Sequence, residues 1–357
     1  MRRTALISLA LLAVMCLYAQ DSLRILFAGD AMSHTVQVKW AKTDSAYDYS
    51  PCFSCLLPYI DNADYAVVNL EAPLAGKPYT GYPRFSAPDE YLQALSQAGF
   101  NLFLLANNHI DDKGNAGLER TIHTLEEQHC PYIGAYLAAE DRSCLYPHYK
   151  SFYTDTDSLT VAFFNYTYGT NGLTLASPAV VNLLDTALII EDLQHMESGA
   201  DLKIVCVHWG AEYQKHSSRS QQQTAQWLAD KGFDLIIGSH PHVVQEYTAI
   251  TASDGRLVPV FYSLGNFLSN QRWRGSNGGI LAQITVDMHS KQIINSEYLP
   301  VYVHKGWWRG IKQYHLLPTP QLIDTIGRVA LPKADRDSLS VFHRDTQTKL
   351  SNINIIN

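Results

Sequence analysis

The sequence predicts an α/β protein, a sheet covered on its faces by helices, and three observations carry that expectation. Short apolar runs stop abruptly at polar or glycine-containing clusters, as buried strands do. Stretches of helical periodicity lie between those runs, which is the alternation of an α/β sheet. Each polar cluster follows its strand, and in open α/β sheets the ligand site lies beyond the carboxyl ends of the strands.

In order, the expected strands are Arg24 to Ala28 before Gly29-Asp30, Tyr65 to Val68 before Asn69, and Leu102 to Ala106 before Asn107-Asn108-His109. They continue with Lys203 to Val207 before His208, Leu235 to Ile237 before Gly238, and Val260 to Tyr262 before Ser263. The helical stretches are Pro88 to Ala98, Ala116 to Gln128, Leu183 to Met196 and Ser220 to Lys231. From Gly275 to Pro300 the pattern is strands and turns closing the core; beyond about Leu317 it turns polar and helical, notably over Leu322 to Leu331.

The chain has 357 residues, 46% hydrophobic and 17% charged, enough for a sizeable core and without the composition of a disordered segment. One large domain is favoured. A formal charge of -7 and the absence of any Lys/Arg cluster argue against a nucleic-acid partner. Arg2 and Arg3 precede an apolar run from Ala5 to Tyr18, the pattern of an export leader, too short to span a bilayer comfortably. Cleavage after Ala19 would leave a mature chain with no transmembrane helix, periplasmic or extracellular. Bulky Met15 before Cys16 disfavours lipoprotein anchoring. Five cysteines then remain, Cys52, Cys55, Cys130, Cys144 and Cys206, an odd number that forbids complete pairing. Cys52-Phe53-Ser54-Cys55 reads as a redox pair, as half a zinc site, or as an incidental local pair; no second such motif completes four thiolates.

The strand-end clusters supply Asp30, Glu71, Asn108, His109, His208, His240 and His242. Carboxylate and imidazole together suit zinc, manganese or iron better than calcium or magnesium. Gly238-Ser239-His240-Pro241-His242 is the sharpest piece: two imidazoles one residue apart diverge on a strand but converge in a turn, and Pro241 biases His240 towards extended backbone. Asp112 is either part of the site or a helix cap, and Glu212 either orients an imidazole or sits at the rim. Asn266 either supports the site by hydrogen bonding or belongs to a structural turn. His34 flanks Asp30, and Arg84 in the Tyr-rich segment 79–85 is a candidate contact for an anionic substrate. No Gly-x-Ser-x-Gly elbow or P-loop appears, so serine hydrolases and P-loop nucleotidases lose their usual footholds.

In this order and spacing, Gly29-Asp30-Ala31-Met32, Asn69-Leu70-Glu71, Ala106 to His109 with Asp112 and Gly114, and His208-Trp209-Gly210 with Glu212-Tyr213 resemble the CapA family of capsule and poly-γ-glutamate synthesis proteins. Gly238 to His242 and Tyr262 to Phe267 complete the set, and the resemblance runs from about Leu23 to Phe267. That family is similar to calcineurin-like metallophosphoesterases. The resemblance implies a four-layer α/β/β/α sandwich; the expected division of the chain is the leader over 1–19, a domain of that family over 20–315 and a C-terminal extension of unassigned role over 316–357. It implies Asp30, Glu71, Asn108, His208, His240 and His242 as ligands of one or two divalent ions (Mn, Fe or Zn), with His109 and Asp30 catalytic. The pattern departs from active phosphoesterases in lacking Asp-x-His: Ala28 stands two before Asp30 and Met32 two after, and Glu71 stands where a bridging Asp is usual.

Two functions follow as expectations. One is an exported metal-dependent hydrolase of a phosphoester or of a cell-surface polymer linkage. The other is a non-catalytic factor of a complex that synthesises or exports an anionic polymer, using an inherited pocket for binding.

Overall fold

The computed structural model describes residues 21–196, 199–323, 325 and 330–356. The expected leader, with Cys16 and the cleavage point, lies outside the described residues, as do 324 and 326–329 of the stretch expected to be helical around Leu322 to Leu331.

The chain opens with β1 (Ser22–Ala31), α1 (Thr35–Ala41), α2 (Ser50–Phe53), α3 (Leu57–Ile60) and β2 (Tyr65–Leu70). It continues through α4 (Asp89–Gln97), β3 (Leu102–Leu104), α5 (Gly114–Glu127), β4 (Tyr132–Ile133), β5 (Ala135–Tyr136) and α6 (Ala139–Leu145). The second half holds β6 (His148–Tyr153), β7 (Ser158–Thr167), β8 (Val180–Val181), α7 (Thr186–His195), β9 (Leu202–His208), α8 (Arg219–Asp230) and β10 (Leu235–Ser239). Then come β11 (Tyr247–Thr251), β12 (Leu257–Phe261), β13 (Asn266–Leu268), β14 (Gly278–Asp287), β15 (Gln292–Trp308) and β16 (Ile311–Pro318). The chain closes with α9 (Pro320–Ile323), α10 (Lys333–Lys349) and β17 (Asn354–Ile355).

Two sheets face each other. One runs β16-β15-β14-β1-β2-β3-β4, with β13 beside β1 and β17 beside β15; the other runs β11-β12-β10-β9-β7-β6. In each, a parallel block (β1 to β4; β7, β9, β10, β12) is edged by antiparallel strands. Strand alternation decides what each sheet buries. On β1, Ile25 and Phe27 face the core shared with the second sheet, while Leu26 and Ala28 face the one capped by Phe53, Tyr91, Leu95 and Leu118 of the helices. Ala225 and Leu228 of α8 and Ile189 of α7 cover the far side of the second sheet. The order helix, sheet, sheet, helix is the expected four-layer sandwich. Each fully buried Leu, Ile or Phe contributes about 1.5–3 kcal/mol, so this double core sets the rigidity of the strand ends.

All six expected strands and four expected helices are present. β16 runs across residue 315, α10 supplies Leu339 and Phe342 to the inter-sheet core, and β17 pairs with β15, so the last segment adds to the same layers. Five free cysteines are described, and Cys52 and Cys55 form no bridge.

Candidate metal centre

Two glycines let the strand ends close on one another. A Cβ at Gly29 would clash with the carbonyl oxygen of Gly265, and one at Gly238 with that of Tyr262. Only glycine permits such backbone approach, and each stands just ahead of a site residue. β1 and β10 thereby bring Asp30 beside the 240–242 turn: His240 N lies 3.4 Å and His242 Nδ1 3.0 Å from Asp30 Oδ2.

The turn itself differs from the expected extended geometry at His240. His240 has φ 96° and His242 φ 57°. Non-glycine residues rarely hold positive φ, at a cost of about 1–3 kcal/mol each, and such strain is a mark of functional sites. The double reversal is what turns both imidazoles to the same side, which alternation alone would forbid.

Glu71 sits at the centre. Its Oε1 lies 3.6 Å from His208 Nε2 and 3.8 Å from His242 Nε2, and both its oxygens are buried without a hydrogen-bond partner. Two groups of three candidate ligands share it, Asp30–Glu71–His208 and Glu71–His240–His242, each with ligand atoms within 4.8 Å of one another. Asn108 Oδ1 accepts from His208 Nε2 at 2.8 Å, and His208 Nε2 lies 3.2 Å from His240 Nδ1. Thus Asp30, Glu71, Asn108, His208, His240 and His242 converge, every one of them 3% exposed or less.

Burial, and then the Asp30 charge, push the Glu71 carboxyl well above its ordinary range. Burial, and then neighbouring imidazoles, push His208 well below its own and His240 down to about 4. Neutral imidazole is the ligating form. A buried carboxyl with no hydrogen-bond partner, ringed by imidazoles and an amide oxygen, is a donor set of the kind that can hold a divalent metal ion.

His109 stands beside this cluster. Its Nδ1 donates to Asp112 Oδ2 at 2.9 Å, and its ring lies edge-on to Phe85, 4.7 Å between centroids. Asp112 also accepts from Phe85 N at 2.6 Å, while Lys113 is the N-cap of α5, so Asp112 orients His109 and does not cap the helix. Arg84, His109, Asp112 and Glu212 line a cavity of about 250 Å³. Arg84 and Glu212 are exposed at its mouth, which places Glu212 at the rim. Asn266 Nδ2 donates to His242 O and Ser276 O, holding the back of the histidine turn. His34 flanks the site through its ring contact with Phe85 at 5.1 Å. Met32 turns its side chain into the helix-side core, where Ser269 Oγ approaches its sulfur at 3.7 Å.

Several supporting residues escaped sequence reasoning. Asn69 Nδ2 donates to Asp30 Oδ1 at 2.8 Å and approaches His208 Nδ1 at 3.3 Å; Asn107 in turn donates to Asn69 Oδ1 and accepts from His109 N. Alternation puts Asn69 and Glu71 on one face, a signal that could have found Asn69. Ser239 Oγ pairs with His208 Nδ1 at 2.9 Å. Tyr168, 4.6 Å from the His240 ring, and Asn171, which accepts from Asn108 Nδ2, follow β7, a strand not expected from the sequence.

Residues 24–271, which hold every site residue named above, match the model of the family described as bacterial capsule synthesis protein PGA_cap. The chain is 30% identical over 264 residues to the capsule biosynthesis protein CapA of Bacillus anthracis, covering 71% of this chain and 62% of that protein. It is 27% identical over 297 residues to the PGA biosynthesis protein CapA of Bacillus subtilis (strain 168), covering 81% and 74%. Among solved structures it is similar to a phosphatase from Mycoplasma pneumoniae (14% identity, TM-score 0.49, 79% of this chain and 94% of that one). It is also similar to a 5'-nucleotidase, so described as putative, from Staphylococcus aureus (12%, TM-score 0.48, 91% and 58%); neither likeness bears on the assignment. The family match over most of the chain, on the segment that carries the whole cluster, shows that this protein belongs to the bacterial capsule synthesis PGA_cap family.

Proposed function

We propose that the chain is an exported metal-dependent hydrolase that cleaves a phosphoester or related linkage in the metabolism of a capsule or other anionic cell-surface polymer. The observation that carries this reading is Glu71: two buried oxygens without partners at the meeting point of two ligand groups. A protein that needed only a binding pocket would gain from an apolar or fully hydrogen-bonded floor there.

Asp30, Glu71, Asn108, His208, His240 and His242 would hold one or two ions of Mn, Fe or Zn. Such an ion supplies Lewis acidity, activating water and neutralising the charge that builds on a phosphoryl group. The protein's own residues do the rest. Asn69 and His242 fix the two oxygens of Asp30, and Asn108 is held between His208 and Asn171. Asp112 accepts from His109 Nδ1 and fixes the ring, so that Nε2 is the nitrogen left to hand a proton to the leaving oxygen. Arg84, at the mouth of the same cavity, meets the anionic part of the substrate.

One observation favours a second reading. β1 contributes Asp30 alone, because Ala28 and Met32 both lie in the helix-side core. A site with one ligand fewer than active phosphoesterases fits a non-catalytic assembly factor that retains the pocket for binding. Elemental mass spectrometry of the purified protein, with assay of the same sample on phosphomono- and phosphodiesters, separates the two. The hydrolase reading expects one or two equivalents of transition metal with turnover, both lost in a folded His240→Ala/His242→Ala variant. Metal retained by that variant would sink the ligand set, and stoichiometric metal without turnover would favour the assembly role.

A further inference from the structure

The hairpin of β15 and β16 carries a surface that the proposed function leaves unused. Its turn is Arg309-Gly310, with φ 49° and 85°, the pair of left-handed residues a two-residue hairpin requires. Trp307 is paired with Lys312 and Trp308 with Ile311 across the strands. Trp307 is 63% and Ile311 48% exposed, and alternation sets them on opposite faces of the ribbon, so the tip offers water an indole on one face and a branched aliphatic chain on the other.

The charged residues of the tip itself are all cations. Residues 305–312 contain Lys305, Arg309 and Lys312 and no carboxylate. Lys305 and Lys312 place their ammonium groups 5.5 and 5.1 Å from the Trp40 ring centroid, and Arg272 lies 5.6 Å over Tyr314. Among the described residues, the Lys and Arg ion pairs involve other cations, and none of these four has a carboxylate within ion-pair distance. Of the acids on neighbouring elements, Asp48 accepts from Ser50 and Asp335 faces His304. Burial and then the Arg272 charge hold the Lys305 ammonium below its ordinary range, so the repulsion within the cluster is not relieved inside the protein. In a chain of net charge -7, such a carboxylate-free patch calls for an external anion.

We propose that the tip of the β15–β16 hairpin docks on an anionic lipid surface, with Trp307 and Ile311 entering the headgroup region and Lys305, Arg309 and Lys312 facing lipid phosphates. Tryptophan settles at the headgroup level because its ring is apolar and its N–H polar, and Lys/Arg stems reach back to the charged layer. A soluble polyanion would satisfy the cations but would leave Trp307 and Ile311 in water. No described helix is long and apolar enough to cross a membrane; a hairpin tip that enters only the headgroup region docks at the interface. It also has a direction. Lys305 Nζ donates to Asn270 Oδ1 at 3.1 Å, and Asn270 N donates to His34 Nδ1 at 3.3 Å, so the docking hairpin is tied to the flank of the metal centre.

The inference is independent of hydrolysis, and its test needs no activity. The full chain is bound to vesicles of phosphatidylcholine with and without phosphatidylglycerol, and its tryptophan fluorescence is quenched with brominated lipid. This reads the depth of the indole even if another segment also binds lipid. Quenching on the anionic vesicles should fall sharply in Trp307→Phe. A Lys305→Gln/Arg309→Gln/Lys312→Gln variant should lose the phosphatidylglycerol-dependent part of that quenching, its hairpin binding weakened by on the order of a hundredfold. Unchanged quenching in Trp307→Phe would overturn the proposal, as would charge-variant quenching equal to the wild type. A lipid-free dimer abolished by Trp307→Ala would also overturn it, assigning the tip to a second copy of the chain.

Discussion

Two buried polar clusters in this fold follow opposite rules. Between α6 and α7, Arg142 reaches both oxygens of Asp192 at 2.8 and 2.7 Å and Asn182 Oδ1 at 2.6 Å, while the Tyr166 hydroxyl donates to Asp192 at 2.7 Å. Charge meets charge and each oxygen of Asp192 has a donor. At the strand ends, Glu71 has no donor, three imidazoles crowd one another, and two of them sit on reversed backbone. The first cluster is complete within the protein. The second leaves both oxygens of Glu71 without a partner. A buried polar network that satisfies itself holds the fold together, whereas one left unsatisfied at strained residues marks where the protein acts.

The largest expected effect breaks the satisfied cluster. Arg142→Ala leaves the Asp192 carboxylate buried and unpaired, and should destabilise the protein by about 3–5 kcal/mol in urea unfolding monitored by circular dichroism. Metal content per folded molecule should not change. A loss below about 1 kcal/mol would show that the pair is no better than a surface contact and would erase the contrast.

Glu71→Gln should do the reverse. In excess chelator it removes a carboxylate that has no donor, so the variant should be at least as stable as wild type, while its affinity for added metal drops by tenfold or more. The pH dependence sharpens this. The folded state holds the Glu71 proton above the usual carboxylate value of 4.5, so its share of metal-free stability is present below that value and is lost as pH rises through the raised folded pKa. His208 and His240, depressed when folded, contribute stability that is lost as pH falls below about 6.5, so they add no slope above that point. Above about pH 4.5 wild type should therefore lose stability relative to Glu71→Gln, by at most about 1.4 kcal/mol per pH unit, until the raised folded value is passed. Parallel stability curves would mean that Glu71 is already satisfied.

How far each region was legible follows from what its signals depend on. The strands ahead of Asp30, Glu71, Asn108, His208 and His240 could be found because fully buried parallel strands are short apolar runs, and their polar ends mark the site. Glu212 and Asp112 could not be resolved, since rim against support and cap against orienter depend on distances that spacing does not encode. Asn69, Asn107 and Ser239 stood inside the motifs, but amides and hydroxyls are too common in loops to single out. The Arg142–Asp192 pair spans 50 residues of sequence, with its partners Asn182 and Tyr166 on other elements, and no local pattern announces it. The positive φ at His240 was also hidden: the proline after it disfavours helix but does not dictate which side of φ the residue takes.

The smallest effect tests the departure at β1. If Met32 were a ligand replacing the missing histidine of Asp-x-His, Met32→Leu would lower metal affinity with little change in fold. The structure predicts otherwise, because Met32 is 1% exposed within the helix-side core and its sulfur meets only Ser269 among described polar atoms. A Met-to-Leu exchange conserves volume and should cost less than about 1.5 kcal/mol. Metal affinity measured by competition with a chromophoric chelator should be unchanged. Loss of affinity would place the thioether in the ligand set and make β1 a two-ligand strand; an unchanged constant leaves Asp30 as its sole contribution, with Glu71 alone shared between the two ligand groups.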